Sequence, residues 1–299
     1  MTAKPSFIYS LDDDRFYADR KASDLAGIST LLSACFHIGY RCNMSCPYCL
    51  SRLADEPAEL IPSAELCRFL QEAGVRRLVM SGGEPFLYAD TMESMLAEVK
   101  ARTDCAVVVS TNASQEQTLQ RCSRWIDWYD ISLPAVTREA YFRLRGTDDF
   151  DTVIRHIRLL LEAGRRVRIN CTLRSPTQAD VWQYLSFVKD LGVHNARLHA
   201  ELQPQDGSFH DEASYTEIQQ VCRQFQRQEK MVLYPPLTPD ENEAFKQGYL
   251  VIRRDGMCFC GVVHPSCQIG RIGENDLMDK LRDMVMPLAS LFLVERRAL

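Results

Sequence analysis

The chain has 299 residues, 46% of them hydrophobic, and a formal net charge of −5. Such a length and apolar content allow one large core, so a single catalytic domain with a small appendage is the simplest division. The acidic balance leaves no cation surplus for a nucleic-acid backbone beyond a local patch at Arg165, Arg166 and Arg168, and no nucleic-acid partner is expected.

In chain order, Asp12-Asp13-Asp14 reads as a solvated acidic turn. The apolar run 31–38 then leads to Cys42-Asn-Met-Ser-Cys46-Pro-Tyr48-Cys49, three thiols on one short loop. Three thiolates can hold three irons of a [4Fe–4S] cluster and leave the fourth iron open to an external ligand. A zinc knuckle is the alternative, but zinc normally takes a fourth nearby Cys or His, and residues 50–56 supply neither.

Short β-branched runs at 77–80, 106–110, 128–133, 167–171 and 196–200 read as strands. Segments 63–73, 91–102, 115–122, 150–163 and 180–191 read as helices, with apolar residues at three- and four-residue intervals. Gly74, Gly164 and Gly192 stand where helices should stop. With the strand before Cys42, this makes six β/α units, and regular alternation predicts parallel strands closed or partly closed into a barrel. The expected fold is α/β, a partial (β/α)6 TIM-like barrel over 33–202, after an N-terminal segment 1–32 and before an extension 203–299. The rhythm is expected to end near 203–211. The apolar run 284–294 contains Pro287 and is shorter than the about 20 residues of a membrane span, so no membrane partner is expected. Twelve cysteines in a long chain without a signal peptide, in metal-like spacings, fit a reducing cytoplasm better than a disulfide framework. Cys35, Cys67, Cys105, Cys122, Cys171 and Cys222 read as buried or incidental thiols, and Trp125, Trp128 and Trp182 as packing residues.

A barrel of this kind carries its chemistry on loops leaving the C-terminal ends of its strands. The second strand is followed by Ser81-Gly82-Gly83-Glu84-Pro85, where glycines let the backbone approach a ligand and Glu84 offers a carboxylate to an ammonium. An ordinary turn is the other explanation. The third ends in Thr111-Asn112, a cofactor contact or a turn former and N-cap. Ser132 ends the fourth and Asn170 the fifth. Arg145, in Arg143-Leu-Arg145-Gly146, presents a planar fork suited to a carboxylate or a surface ion pair. His199 on the sixth strand either points into the barrel mouth or is a hydrogen-bonded core histidine.

Taken together, these motifs resemble the radical S-adenosylmethionine (radical SAM) superfamily. Its signature is the Cys triplet with an aromatic before the third thiol, here Tyr48. Gly82-Gly83-Glu84-Pro85 is similar to its G-G-E-P motif, Thr111-Asn112-Ala113 to T-N-G with Ala in place of Gly, and Arg145-Gly146…Phe150-Asp-Thr-Val…Glu162-Ala-Gly164 to I-R-G…F-x-x-V…E-A-G. Where relatives read S-L-D-G after the fourth strand, Pro134 and Ala135 depart. The resemblance implies that Cys42, Cys46 and Cys49 hold the cluster. It places Tyr48, Gly82, Gly83, Glu84, Asn112, Ser132, Arg145, Asn170 and His199 around S-adenosylmethionine, with Glu84 on its amino group and Arg145 on its carboxylate. No catalytic residue is assigned. Asp255-Gly256…Cys260 and 269–272 are similar to the SPASM or twitch extension, shortened and without its upstream C-x-x-G. Cys258, Cys260 and Cys267 are there an auxiliary cluster site, a zinc site with His264, or a relic, and the tail is expected to cap the barrel mouth over a single catalytic cluster.

The implied activity is reductive cleavage of S-adenosylmethionine to a 5′-deoxyadenosyl radical, which takes a hydrogen atom from a small-molecule metabolite in a biosynthetic pathway. Flavodoxin or ferredoxin is the implied electron donor. The barrel begins near residue 33, which leaves no room for a separate peptide-recognition domain, so a maturase of ribosomally made peptides is the alternative. A non-catalytic zinc or iron–sulfur redox regulator is the alternative of another class.

Overall fold

The computed structural model describes residues 7–18, 31–49, 51, 54–173, 176–200, 215–236, 249–261, 263–283 and 293–295. A hairpin of β1 (Phe7–Ser10) and β2 (Arg15–Ala18) comes first. The β-branched runs then form β3 (Ser33–His37), β4 (Arg77–Ser81), β5 (Ala106–Thr111), β6 (Trp128–Ser132), β7 (Arg166–Leu173) and β8 (Asn195–Ala200). Each pairs parallel with the next, in sequence order. Parallel neighbours require crossovers, and the amphipathic segments supply them as α1 (Ser63–Glu72), α2 (Ala89–Arg102), α3 (Glu116–Cys122), α4 (Arg138–Arg145), α5 (Phe150–Glu162) and α6 (Gln178–Asp190). On α5, Val153, Ile157 and Leu160 are buried at the expected helical spacing. At the start of α6, Thr177 and Asp180 form a reciprocal capping box. Gly74, Gly164 and Gly192 adopt positive φ after α1, α5 and α6.

The βα rhythm runs further than its sequence suggests. Residues 203–211 lie outside the described ones, but α7 (Tyr215–Glu229) and β9 (Val232–Tyr234) follow, and β9 is a seventh parallel strand beside β8. At the other edge, β10 (Leu250–Arg253) pairs parallel with β3, and β11 (Met257–Cys260) and β12 (Gln268–Arg271) continue as an antiparallel meander. The described part of the tail therefore extends the sheet to ten strands. The sequence pattern missed this because three four-residue strands carry too little periodicity to be distinguished from loop. Of the apolar run 284–294, residues 284–292 lie outside the described ones, and β13 (Leu293–Glu295) pairs with β2. No helix among the described residues is long and apolar enough to cross a membrane.

Strand alternation divides the interior into two cores. One, between sheet and helices, holds Phe36, Met80, Val109, Ile131, Ile169 and Leu198 among many others. The smaller one lies on the sheet's other face and holds Cys35, Val79, Val108, Trp128, Val251 and Phe259. The turn of the N-terminal hairpin reaches this face at the starts of the strands, where the Trp128 indole N–H donates to the Leu11 carbonyl at 2.8 Å.

Here the expectation of a solvated Asp12–Asp14 turn holds for exposed Asp12 and fails at Asp14. Asp14 is 3% exposed. Its carboxylate accepts from Arg77 Nε at 2.5 Å and Nη2 at 2.7 Å, from Arg168 Nη1, and from the Tyr9 hydroxyl. Arg168 also donates to Asp130 at 2.6 Å. Arg168 is fully buried and so does not belong to a surface basic patch. A charge run in sequence ordinarily marks a wet surface; the partners that bury this one lie 63 and 154 residues away.

Candidate active site

The three thiols follow β3 on a loop stitched to its neighbours. Gly39 O accepts from Gly83 N at 2.8 Å and Arg41 O from Glu84 N at 2.9 Å, so the Gly-Gly loop after β4 lies against the entry to the Cys loop. This approach leaves no room for side chains. A Cβ on Gly82, whose φ is +127°, would stand 2.1 Å from Gly39 O, and one on Gly83 would stand 2.3 Å from Arg41 O. Glu56 secures the same entry, accepting from the backbone N–H groups of Tyr40 at 2.8 Å and Arg41 at 3.1 Å and from the Tyr88 hydroxyl at 2.6 Å. It is also bonded to Arg254 of the tail at 2.5 Å.

Within the loop, Cys46 is buried, Cys49 half-buried and Cys42 exposed. Arg145, at the end of α4, is 7% exposed and donates to Cys46 Sγ at 3.2 Å and to the Ser132 carbonyl at 2.9 Å. Its own carbonyl accepts from Ser45 N at 3.0 Å. Arg143 is exposed, two residues away on another face of the helix. Gly146 caps α4 with φ +75°, and a Cβ there would stand 2.3 Å from Ser45 Oγ. Tyr48 is half-buried against the main core beside Cys49. The Met44 N–H donates to Cys42 Sγ at 3.4 Å.

Glu84 is 1% exposed. One oxygen accepts from Phe86 N at 3.0 Å and Thr111 Oγ1 at 2.6 Å, the other from Asn112 N at 2.7 Å. Burial raises its carboxyl above the usual range against these three donors. The carboxylate thus ties the loop after β4 to the end of β5. Glu84→Gln exchanges an acceptor oxygen for an N–H donor and leaves either Phe86 N or Asn112 N without an acceptor. It is expected to lower unfolding free energy by about 1–3 kcal/mol, read from denaturant midpoints. An unchanged midpoint together with weakened S-adenosylmethionine binding instead puts the carboxylate on the cofactor ammonium.

Asn112 continues this network. Its amide donates to Asn43 Oδ1 of the Cys loop at 2.9 Å, and Asn43 donates to Ser114 at 2.9 Å. Ala113, where the resemblance expects Gly, takes φ +57°. The Ala113 carbonyl lies 2.7 Å from Nδ1 of His156, which is 2% exposed on α5, and His156 Nε2 is 3.2 Å from Glu116. His156, Glu56 and Tyr88 escaped the sequence reading. Only His156 left a signal, a polar residue in the apolar stripe of α5. Ser132 at the end of β6 is the register partner of Asn170, which does not end its strand as expected, since β7 runs three residues further, to Leu173. His199 lies on β8 two residues after Arg197 and is exposed among the described residues.

Among the described residues no three His, Cys, Asp or Glu side chains converge on a point that one metal ion could occupy. An iron–sulfur cube asks for a different arrangement, three thiolates each on its own iron and so spread around the cube. The loop supplies those donors, and buried Arg145 Nε and Asn170 Oδ1 have no hydrogen-bond partner among the described residues. Unpaired buried polar atoms are costly, so this donor set fits a cluster with a polar ligand beside it. Cys258 differs. It is 0% exposed in the main core, and burial raises its thiol to about 12. Cys260 and Cys267 are half-buried and close enough to influence each other electrostatically.

The sequence profile of the Radical SAM superfamily matches residues 36–188. A Drosophila melanogaster protein, "Molybdenum cofactor biosynthesis protein 1", is 28% identical over 205 residues, 62% of this chain and 34% of its own. A "Probable GTP 3',8-cyclase" of Saccharolobus islandicus is 25% identical over 170 residues, 54% of either chain. The chain thus spans about a third to a half of these relatives' length. Among solved structures, Streptococcus suis SuiB superposes with a TM-score of 0.67 at 18% identity, covering 88% of this chain and 68% of SuiB. The structure titled anSMEcpe with bound AdoMet gives 0.66 at 16%, covering 86% and 83%. Both are likenesses of fold. With the profile matching half of its length, the chain belongs to the Radical SAM superfamily, enzymes that use a [4Fe–4S] cluster and S-adenosylmethionine.

Proposed function

We propose that this enzyme acts on a small-molecule metabolite. The observation that carries the reading is the meeting of Cys42, Cys46 and Cys49 with the Gly82-Gly83 backbone and Arg145 at the C-terminal ends of parallel strands, where such barrels bind their substrates. The names of the curated relatives support the small-molecule class.

When bound, the cluster and S-adenosylmethionine supply a 5′-deoxyadenosyl radical that takes a hydrogen atom from the substrate. The chain's own part is placement. Cys42, Cys46 and Cys49 hold the irons. Arg145 fixes the Cys46 sulfur and, through the Ser132 carbonyl, sets the distance from the Cys loop to the end of β6. Gly82 and Gly83 expose backbone to the cofactor, and Glu84 keeps that backbone tied to Asn112. Tyr48, Asn112, Ser132, Asn170 and His199 line the remaining approach, and a flavodoxin or ferredoxin delivers the electron. The tail carries no second cluster in this reading, because Cys258 is committed to the core.

The test uses the reconstituted, reduced enzyme with deuterated cell extract split by dialysis. Deuterium entering 5′-deoxyadenosine from the dialysable fraction supports the reading. Deuterium from the retained fraction alone assigns a peptide or protein substrate and overturns it.

A further inference from the structure

Three guanidinium groups meet two carboxylates on the inner face of the barrel. Arg77 is doubly bonded to Asp14, and Arg168 bridges Asp14 and Asp130. The third, Arg197 of β8, is left over. Its Nη2 is 3.9 Å from Asp14 and its Nη1 3.8 Å from Asp130, carboxylates already engaged by closer arginines, and among the described residues it makes no hydrogen bond. The Tyr234 ring lies against it, 5.2 Å from centroid to Cζ. Burial, then the neighbouring Arg168, pull its proton affinity down to about 10. Its side chain remains 20% exposed, unlike the sealed Arg168.

The place of this surplus charge matters. Ser132, Asn170 and Arg197 are register partners across β6, β7 and β8, so they form one row on one face. Ser132 begins the row with its carbonyl on Arg145, which holds Cys46. Two strand spacings, about 10 Å of backbone, separate Ser132 from Arg197, and the Arg197 guanidinium reaches back from this row toward Asp14 and Asp130, so an anion held by it lies inside the barrel, below the mouth. Between them, Asn170 presents its unpartnered buried Oδ1. Among the described residues this partly buried guanidinium has only two carboxylates at 3.8–3.9 Å, both held more closely by other arginines, so a further anion would stabilise it, and its planar fork matches two oxygens of a carboxylate or phosphate.

We infer that Arg197 binds an anionic group of the substrate, a carboxylate or phosphate, anchoring it along the Ser132–Asn170–Arg197 row with its reacting carbon toward the Cys loop. The identity of the ligand rests on the small-molecule reading above, whereas the anion site itself does not.

The experiment is calorimetric titration of inorganic phosphate and of malonate, at fixed ionic strength, into the reconstituted enzyme saturated with S-adenosylmethionine. At least one anion is expected to bind saturably at one site per chain, with affinity about tenfold or more weaker in Arg197→Gln. If that variant does not fold, Arg197→Lys, which keeps the charge and loses the fork, serves for the same comparison. Saturable binding by neither anion, or equal affinity in wild type and variant, overturns the inference. So does anion binding seen only without S-adenosylmethionine, which assigns Arg197 to the cofactor's carboxylate. Loss of the small-molecule reading shows separately, as deuterium transfer from the retained fraction alone.

Discussion

Replacing any one of Cys42, Cys46 or Cys49 by Ala abolishes S-adenosylmethionine cleavage and removes the cluster, in each case together. The reason is stoichiometric. In the proposed site each thiolate holds a different iron, and the loop has no fourth thiol to take over, since Cys35 points to the inner core and Cys171 to the main core. The wild-type chain is expected to hold about four irons, and each variant fewer than one. Folding should survive in the Cys42 and Cys49 variants, because exposed Cys42 and half-buried Cys49 contribute little packing, whereas the Cys46 variant also loses a buried contact to Arg145. Iron and sulfide analysis beside 5′-deoxyadenosine assay checks this. Any single variant that keeps both cluster and turnover removes that thiol from the cluster.

A second large effect lies at the opposite end of the barrel. Asp14→Asn leaves Arg77 and Arg168 buried with Asp130 as their only remaining buried carboxylate among the described residues. Breaking a buried ionic network in this way costs about 3–5 kcal/mol, and Asp14 has no side-chain exposure to soften it. The loss also has a pH signature. Burial raises the Asp14 carboxyl, but Arg77 and then Arg168 outweigh burial and hold it well below the ordinary carboxylate range. A group depressed in the folded state stabilises the fold fully above its unfolded value, about 3.9, and loses that contribution as pH falls toward its folded value. Denaturant unfolding should therefore separate wild type from Asp14→Asn widely at pH 7, with the gap narrowing as the pH is lowered below about 4. A constant gap across that range would show that the ion pairs are not its source.

What the sequence made legible and what it hid divide along physical lines. The six βα units could be read because each strand is a run of β-branched residues, and each crossover repeats its apolar positions at helical spacing. The loop motifs could be read because their residue types are forced locally: Gly82 and Gly83 by the backbone that presses on them, the three Cys by the irons they are proposed to hold. Asp14 could not. Nothing within its own turn announces arginines on β4 and β7, and a triple aspartate is more often hydrated than buried. Arg197 escaped for the same reason, since its surplus exists only as a count over three strands. Glu84 was legible as important and not in its role, because a carboxylate bonded to three loop donors and one facing an ammonium have the same sequence. The tail's short strands joined the barrel edge through pairing with β3, a contact that no local periodicity encodes.

The central claim is that this chain cleaves S-adenosylmethionine reductively at a cluster held by Cys42, Cys46 and Cys49. The most direct measurement is 5′-deoxyadenosine released after anaerobic reconstitution and dithionite reduction, wild type beside the Cys42/Cys46/Cys49→Ala triple variant. Release is expected from the wild type and none from the variant. A wild type that reconstitutes its cluster, binds S-adenosylmethionine and releases no 5′-deoxyadenosine would contradict that claim.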